Sequence, residues 1–208
     1  MSFIQIGQGI LLGLCAFALM FESAFAALTP GSDLPSSAAE VKMRSVDGRL
    51  FNLEELRGAK GTLVVFSCNH CPWAKAWEER IVQAGNAALQ RGIGVAMINA
   101  NDPSAYPEDR FEVMIERAKS RGMQFPYLVD ETSDVARAFG AGHTPEIFLF
   151  DAAGKLVYTG AFDDNADDPG AVKQRYAQDA IDALLAGKPV PVPVTKGIGC
   201  SIKFHDKQ

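Results

Sequence analysis

Histidine occurs only three times and cysteine four times in 208 residues, and the 20 basic side chains are fewer than the 25 acidic ones. The resulting net charge of -5 argues against a polyanion partner, because neutralising phosphates needs clustered Lys and Arg that release counterions. Nucleic acid is therefore not an expected partner. There is no second C-x-x-C pair and no spaced His pair, so a structural zinc site has too few donors. The acidic run from Asp163 to Asp168 lacks a Gly at its sixth position and a distal bidentate Glu, and reads as a solvated turn rather than a calcium loop. No internal repeat or low-complexity block is present, and no metal or cofactor is expected.

No Lys or Arg precedes Glu22, so the terminal amine alone supplies positive charge at the start. Even so, an apolar run from Ile10 to Phe21 followed by Ala24-Phe25-Ala26 has the pattern of a secretory signal with an A-x-A cleavage site. Residues 1–26 are expected to be removed, leaving a periplasmic or secreted protein with no stable membrane span. A retained anchor is the alternative, since Ile4 to Phe21 is about as long as the ~18 residues that a span minimally needs. Cys15 follows Leu14 rather than a small residue, which gives no lipidation signal, and it would leave with the segment. Cys68, Cys71 and Cys200 remain, an odd number in a compartment where disulfides persist, so at least one thiol is free, transient or intermolecular.

With 48% hydrophobic residues, the chain can bury one sizeable core without disulfide or metal support. Val41 to Val46, the turn Asp47-Gly48 and Leu50-Phe51 read as an N-terminal hairpin. Thr62 to Ser67 is a short β-branched run suited to a central strand buried on both faces. Apolar residues at helical spacing predict a helix from Pro72 to Gln90. Further segments follow: strand Ile93 to Ile98, helix Pro107 to Ser120, strand Tyr127 to Val129 and helix Ser133 to Phe139. Glu146 to Phe150 and Lys155 to Thr159 flank a turn and form an antiparallel pair, and Ala171 to Leu185 is a last helix. This order predicts an α/β thioredoxin fold, a central mixed sheet flanked by helices, over residues 27–188. Residues 189–208 form an irregular C-terminal tail, docked or loose.

The chemistry is concentrated at Cys68-Asn69-His70-Cys71-Pro72. A nucleophilic cysteine must be a thiolate, and a helix N-terminus favours that charge through unpaired N–H groups and the helix dipole. Pro72 suits the first helical position, which makes Cys71 the N-cap. Cys68 lies three residues earlier, close enough for a disulfide. His70 between them either lends positive charge or solvates the loop. A static disulfide, or two buried thiols, is the purely structural alternative. Cys200, flanked by glycines, is either a third thiol brought to the site by a mobile arm or a packing cysteine. Trp73 and Trp77 read as packing residues.

The segments Val64 to Trp73, His143-Thr144-Pro145 and Gly154 to Gly160 resemble the thioredoxin-like superfamily, in its redoxin or peroxiredoxin-like (AhpC/TSA) branch. The resemblance spans about Leu34 to Leu185. It implies a cis peptide before Pro145, with Thr144 and Pro145 lining the site and supplying backbone to pair with a substrate chain. Counted from Phe66, the family's first cysteine falls on Cys71, and Ala74 stands where the second would be. The resemblance and the helix-cap argument both make Cys71 the attacking thiol and Cys68 its resolving partner, with the reverse order open. The implied activity is thiol-disulfide exchange or antioxidant peroxidase chemistry. Its partners would be protein disulfides or peroxide and an external thiol reductant. A peroxidase would also need groups to polarise peroxide, for which Ser67 and Arg137 are candidates. The alternative function is a Sco-like copper chaperone using Cys68, Cys71 and His143.

Overall fold

Short β-branched and apolar runs become strands in a computed structural model that describes residues 27–206. The expected signal segment, residues 1–26 with Cys15, lies outside the described residues. The elements are α1 (Ser36–Ala39), β1 (Met43–Ser45), β2 (Leu50–Phe51), β3 (Gly61–Phe66), α2 (Pro72–Gln90), β4 (Ile93–Asn99), α3 (Phe111–Arg121) and β5 (Tyr127–Val129). They continue with α4 (Asp134–Phe139), β6 (His143–Thr144), β7 (Glu146–Asp151), β8 (Leu156–Gly160), α5 (Tyr176–Leu185) and β9 (Cys200–Ser201).

Strands run in the order β2-β1-β5-β4 in one group and β3-β7-β8 in the other. The groups meet where β3 lies beside β4, and the Ser67 N–H donates to the Ile98 carbonyl at 2.9 Å. Strands β4 and β5 pair in parallel, while β1 with β5, β3 with β7, and β7 with β8 are antiparallel, so the sheet is mixed.

Period-2 alternation divides the core between the two faces of this sheet. Leu63, Val65, Ile147 and Leu149 point to one side, where Trp77 and Ile81 of α2 and Ile181 of α5 cover them. Val64, Phe66, Phe148 and Phe150 point to the other, against Ala38 of α1 and Val135 and Phe139 of α4. Phe66, Phe139 and Phe148 meet edge to face at centroid separations of 5.2–5.8 Å, the arrangement that ring quadrupoles favour. This double covering of β3 fixes the place where the thiol loop emerges.

Two helices begin later than their sequence pattern suggests. Pro107–Asp109 is a 3-10 turn, Arg110 is extended, and α3 starts only at Phe111. The reason is Asp109, whose carboxylate is drawn inward to hold the thiol loop. Pro169–Ala171 is likewise a 3-10 turn, and α5 starts at Tyr176. Here the Asp164 carboxylate accepts the Lys173 N–H, and the Gln174 carbonyl accepts the Asp164 N–H, so those groups are committed outside a helix.

Among the described residues, the tail beyond α5 is docked at several points. Thr195 and Pro193 bond to the backbone of Thr159, the Ile202 N–H donates to the Gly142 carbonyl, and the Lys203 carbonyl accepts from Asp102. Among the described residues, no helix is long and apolar enough to cross a membrane.

Candidate thiol site

Helix α2 opens as its sequence demands: Pro72 occupies the first turn and Cys71 is the N-cap in extended conformation. Cys68 lies two residues beyond the end of β3. The peptide between Thr144 and Pro145 is cis. It brings Thr144 against both thiols, with Cys68 Sγ 3.1 Å from Thr144 Oγ1 and Cys71 Sγ 3.1 Å from the Thr144 carbonyl oxygen. Glu146 braces this turn by accepting the Gly142 and His143 N–H groups. Cys200 completes the cluster, its Sγ 2.8 Å from that of Cys71. All three thiols are free. Cys71 is 0% and Cys68 3% exposed, whereas Cys200 is half-buried.

The environments of the thiols push them apart. A hydrogen bond from the Cys68 thiol holds Cys71 well below the ordinary cysteine range, and the Cys200 thiol and the N–H groups of Ala74 and Cys200 help against the opposing effect of burial. The same bond to Cys71, together with burial, pushes Cys68 strongly up. Burial, and then the neighbouring Cys71, raise Cys200 to about 11. Of the three thiols, Cys71 is the one whose surroundings favour ionisation, as its place at a helix N-terminus does.

Beneath the loop lies a polar network that the sequence did not reveal. Asp109 accepts the Asn69 N–H at 2.6 Å and the Asn101 amide at 2.9 Å. Its second oxygen also lies 2.6 Å from His70 Nδ1. The Tyr127 hydroxyl donates to Asn69 Oδ1, and the Asn69 amide donates to the Glu108 carbonyl. The His70 ring stacks on Tyr106 at 3.8 Å. His70 is thus a pinned wall of the site rather than a solvated loop residue. Asp109 stands 38 positions beyond Cys71 in what reads as a surface turn, and no local pattern marks it.

Cys68, His70 and Asp109 have potential metal-donor atoms within 4.8 Å of one another. The Asp109 oxygens are already taken by the loop bonds, however. His143 is exposed, with Gly197 of the tail against its ring. Ser67 is buried and Arg137 bonds to Asp134 and to the carbonyls of Thr132 and His205. Trp77 is a buried donor to Asp163, an aspartate that Arg80 also holds, and Trp73 lies partly exposed beside it. That first aspartate of the acidic run is a buried acceptor, not a solvated group.

A helix-covered mixed sheet with a cysteine capping the helix after its central strand, facing a cis Thr-Pro turn, defines a thioredoxin-like protein. The fold is shared with a secreted disulfide oxidoreductase of Mycobacterium tuberculosis, at a TM-score of 0.53 and 15% identity over 73% of this chain and 98% of that one. The chain belongs to the AhpC/TSA family, which matches residues 34–159. Two solved structures are more similar. A hypothetical protein from Sinorhizobium meliloti 1021 is 35% identical over 88% of this chain and 98% of its own, with a TM-score of 0.77. An uncharacterized conserved protein from Geobacillus kaustophilus is 36% identical over 89% of this chain and 96% of its own, also at 0.77. The thiol-disulfide oxidoreductase ResA of Halalkalibacterium halodurans is 25% identical over 121 residues, which are 58% of this chain and 64% of that protein. The chain thus spans less than two thirds of this curated relative.

Proposed function

We propose that this chain is an exported thiol-disulfide oxidoreductase in which Cys71 is the attacking thiol and Cys68 resolves the mixed disulfide. The observation that carries the reading is Cys71 as N-cap of α2, with its sulfur 2.8 Å from that of Cys200 and 3.1 Å from the Thr144 carbonyl oxygen. The Cys71 thiolate attacks one sulfur of a protein disulfide and expels the other as a thiolate, which takes a proton. Cys68 then gives up its proton, attacks Cys71 Sγ and releases the second substrate thiol, leaving a Cys68–Cys71 disulfide. An external thiol reductant restores the dithiol.

Exchange fits the site better than peroxide reduction. Among the described residues, no arginine hydrogen-bonds to either thiol, and Arg137, the candidate for polarising peroxide, is engaged with the backbone of the tail and of Thr132. Copper binding by Cys68, Cys71 and His143 is less supported, because the imidazole beside Cys68 is that of His70, which Asp109 holds. Export rests on the apolar run and Ala24-Phe25-Ala26. The test is turnover of a protein disulfide and, separately, of hydrogen peroxide by the reduced protein. Faster consumption of peroxide than of disulfide would replace this reading with the peroxidase one.

A further inference from the structure

The C-terminal tail reaches the thiol site in a particular way. Its strand β9 pairs antiparallel with β6, placing Cys200 opposite Thr144 and Ser201 opposite His143. This is the backbone edge directly before the cis proline, where an extended substrate chain would add as a strand. The tail therefore lies where such a chain would lie, and the residue it sets against Cys71 is a cysteine.

The approach depends on glycine. A Cβ on Gly199 would come within 2.3 Å of the Thr144 carbonyl oxygen, and one on Gly197 within 3.0 Å of the His143 ring. Thr195 anchors the tail further back, its hydroxyl accepting the Ala161 N–H at 2.8 Å and meeting the Tyr158 hydroxyl at 3.0 Å. Ile202 is buried against the core beyond β9. The strand is thus held on both sides of Cys200, with the sulfur against Cys71 and only Cys200 of the three thiols reaching solvent appreciably.

We infer that the tail is a tethered substrate strand and that Cys200 is a third redox residue, so that the oxidised chain holds a Cys71–Cys200 disulfide. The inference rests on the exchange activity proposed above. Cys200 loses its proton and attacks Cys71 Sγ of the Cys68–Cys71 disulfide. The Cys71–Cys200 bond forms, the Cys68–Cys71 bond breaks, and Cys68 leaves as a thiolate that takes up the proton. No net oxidation occurs. An external thiol reductant then attacks the accessible sulfur of Cys200 and expels Cys71 as a thiolate. A second reductant thiol frees Cys200 and leaves with the first as a disulfide.

The test oxidises the purified full chain with oxidised glutathione, quenches in acid, alkylates and maps disulfides by mass. The expected bond is Cys71–Cys200 in the unaltered chain. Gly199→Val, which removes no thiol but crowds β9 off Thr144, should shift the bond to Cys68–Cys71 and speed alkylation of reduced Cys71 about tenfold. Should that variant fail to fold, Cys200→Ser gives the second readout: re-reduction of the oxidised protein by a small thiol should slow about tenfold, since the remaining disulfide is buried. A Cys68–Cys71 bond alone in the unaltered chain, or re-reduction unaffected by Cys200→Ser, would overturn the inference while leaving the exchange reading standing. No disulfide at Cys71 in any form would overturn both.

Discussion

His70 Nδ1 lies 2.6 Å from the Asp109 carboxylate, which is wholly buried and also holds the backbone N–H of Asn69. One carboxylate thus pins two consecutive residues of the loop between the thiols. Asp109→Ala leaves these donors facing a void, and should lower stability by about 3 kcal/mol, the scale of breaking a buried charged contact. Asp109→Asn keeps an acceptor and the volume and should lose only about 1 kcal/mol. Urea unfolding of both variants checks the ranking.

Cys71→Ser should abolish reduction of a test disulfide. Cys68→Ser should still attack but accumulate a mixed disulfide with its substrate, because the resolving thiol is gone. Trapping and mass analysis of the adduct distinguishes the two. Accumulation in Cys71→Ser instead would assign the roles the other way round.

The pH dependence follows from the lowered Cys71. Its reactive form is the thiolate, present above its own pKa, so alkylation of Cys71 should be nearly flat through neutral pH and fall only in acid. An ordinary cysteine would instead keep gaining rate up to about pH 8.5. Since the Cys68 thiol is the largest cause of the lowering, Cys68→Ala should move the profile towards higher pH. Iodoacetamide kinetics across pH, in both proteins, measures this.

Gly94 of β4 has no room for a side chain. A Cβ there would come within 1.8 Å of the Leu56 carbonyl oxygen, and backbone cannot yield as a flexible side chain does. Gly94→Ala should destabilise by about 1–3 kcal/mol, as overpacking does. At about 2–4 °C per kcal/mol for a domain of this size, calorimetry should show a clear fall in Tm.

If residues 1–26 are a cleaved signal, the protein purified from the cell envelope should begin at or near Ala27. Intact-mass measurement decides it, and a chain in the envelope starting at Met1 would contradict cleavage.

Much of the fold was legible because its signals are local. The run Thr62 to Ser67 is largely apolar and β-branched, and it became strand, buried throughout, as far as Phe66. Pro72 marked the start of α2 and Gln90 its end, as observed. Legibility failed where side chains act across long separations. Asp109 and Asp164 turn backbone away from helix by bonds to loop atoms, and periodicity alone extended both helices over those turns. In the thiol loop, spacing drew attention to Cys68, Cys71 and Pro72 but said nothing of Asn69, whose partners are Asp109, Glu108 and Tyr127.

By itself the sequence determined the alternation of strands and helices, the cap position of Cys71 and the paired thiols, because these follow from near neighbours along the chain. Only the tertiary structure decided that Cys200 meets Cys71 and that His70 is held rather than free. Each is a contact between segments separated by many residues. Such contacts depend on which strand edge remains open, which glycine permits close approach and which buried acceptor needs a donor, and a linear pattern encodes none of these.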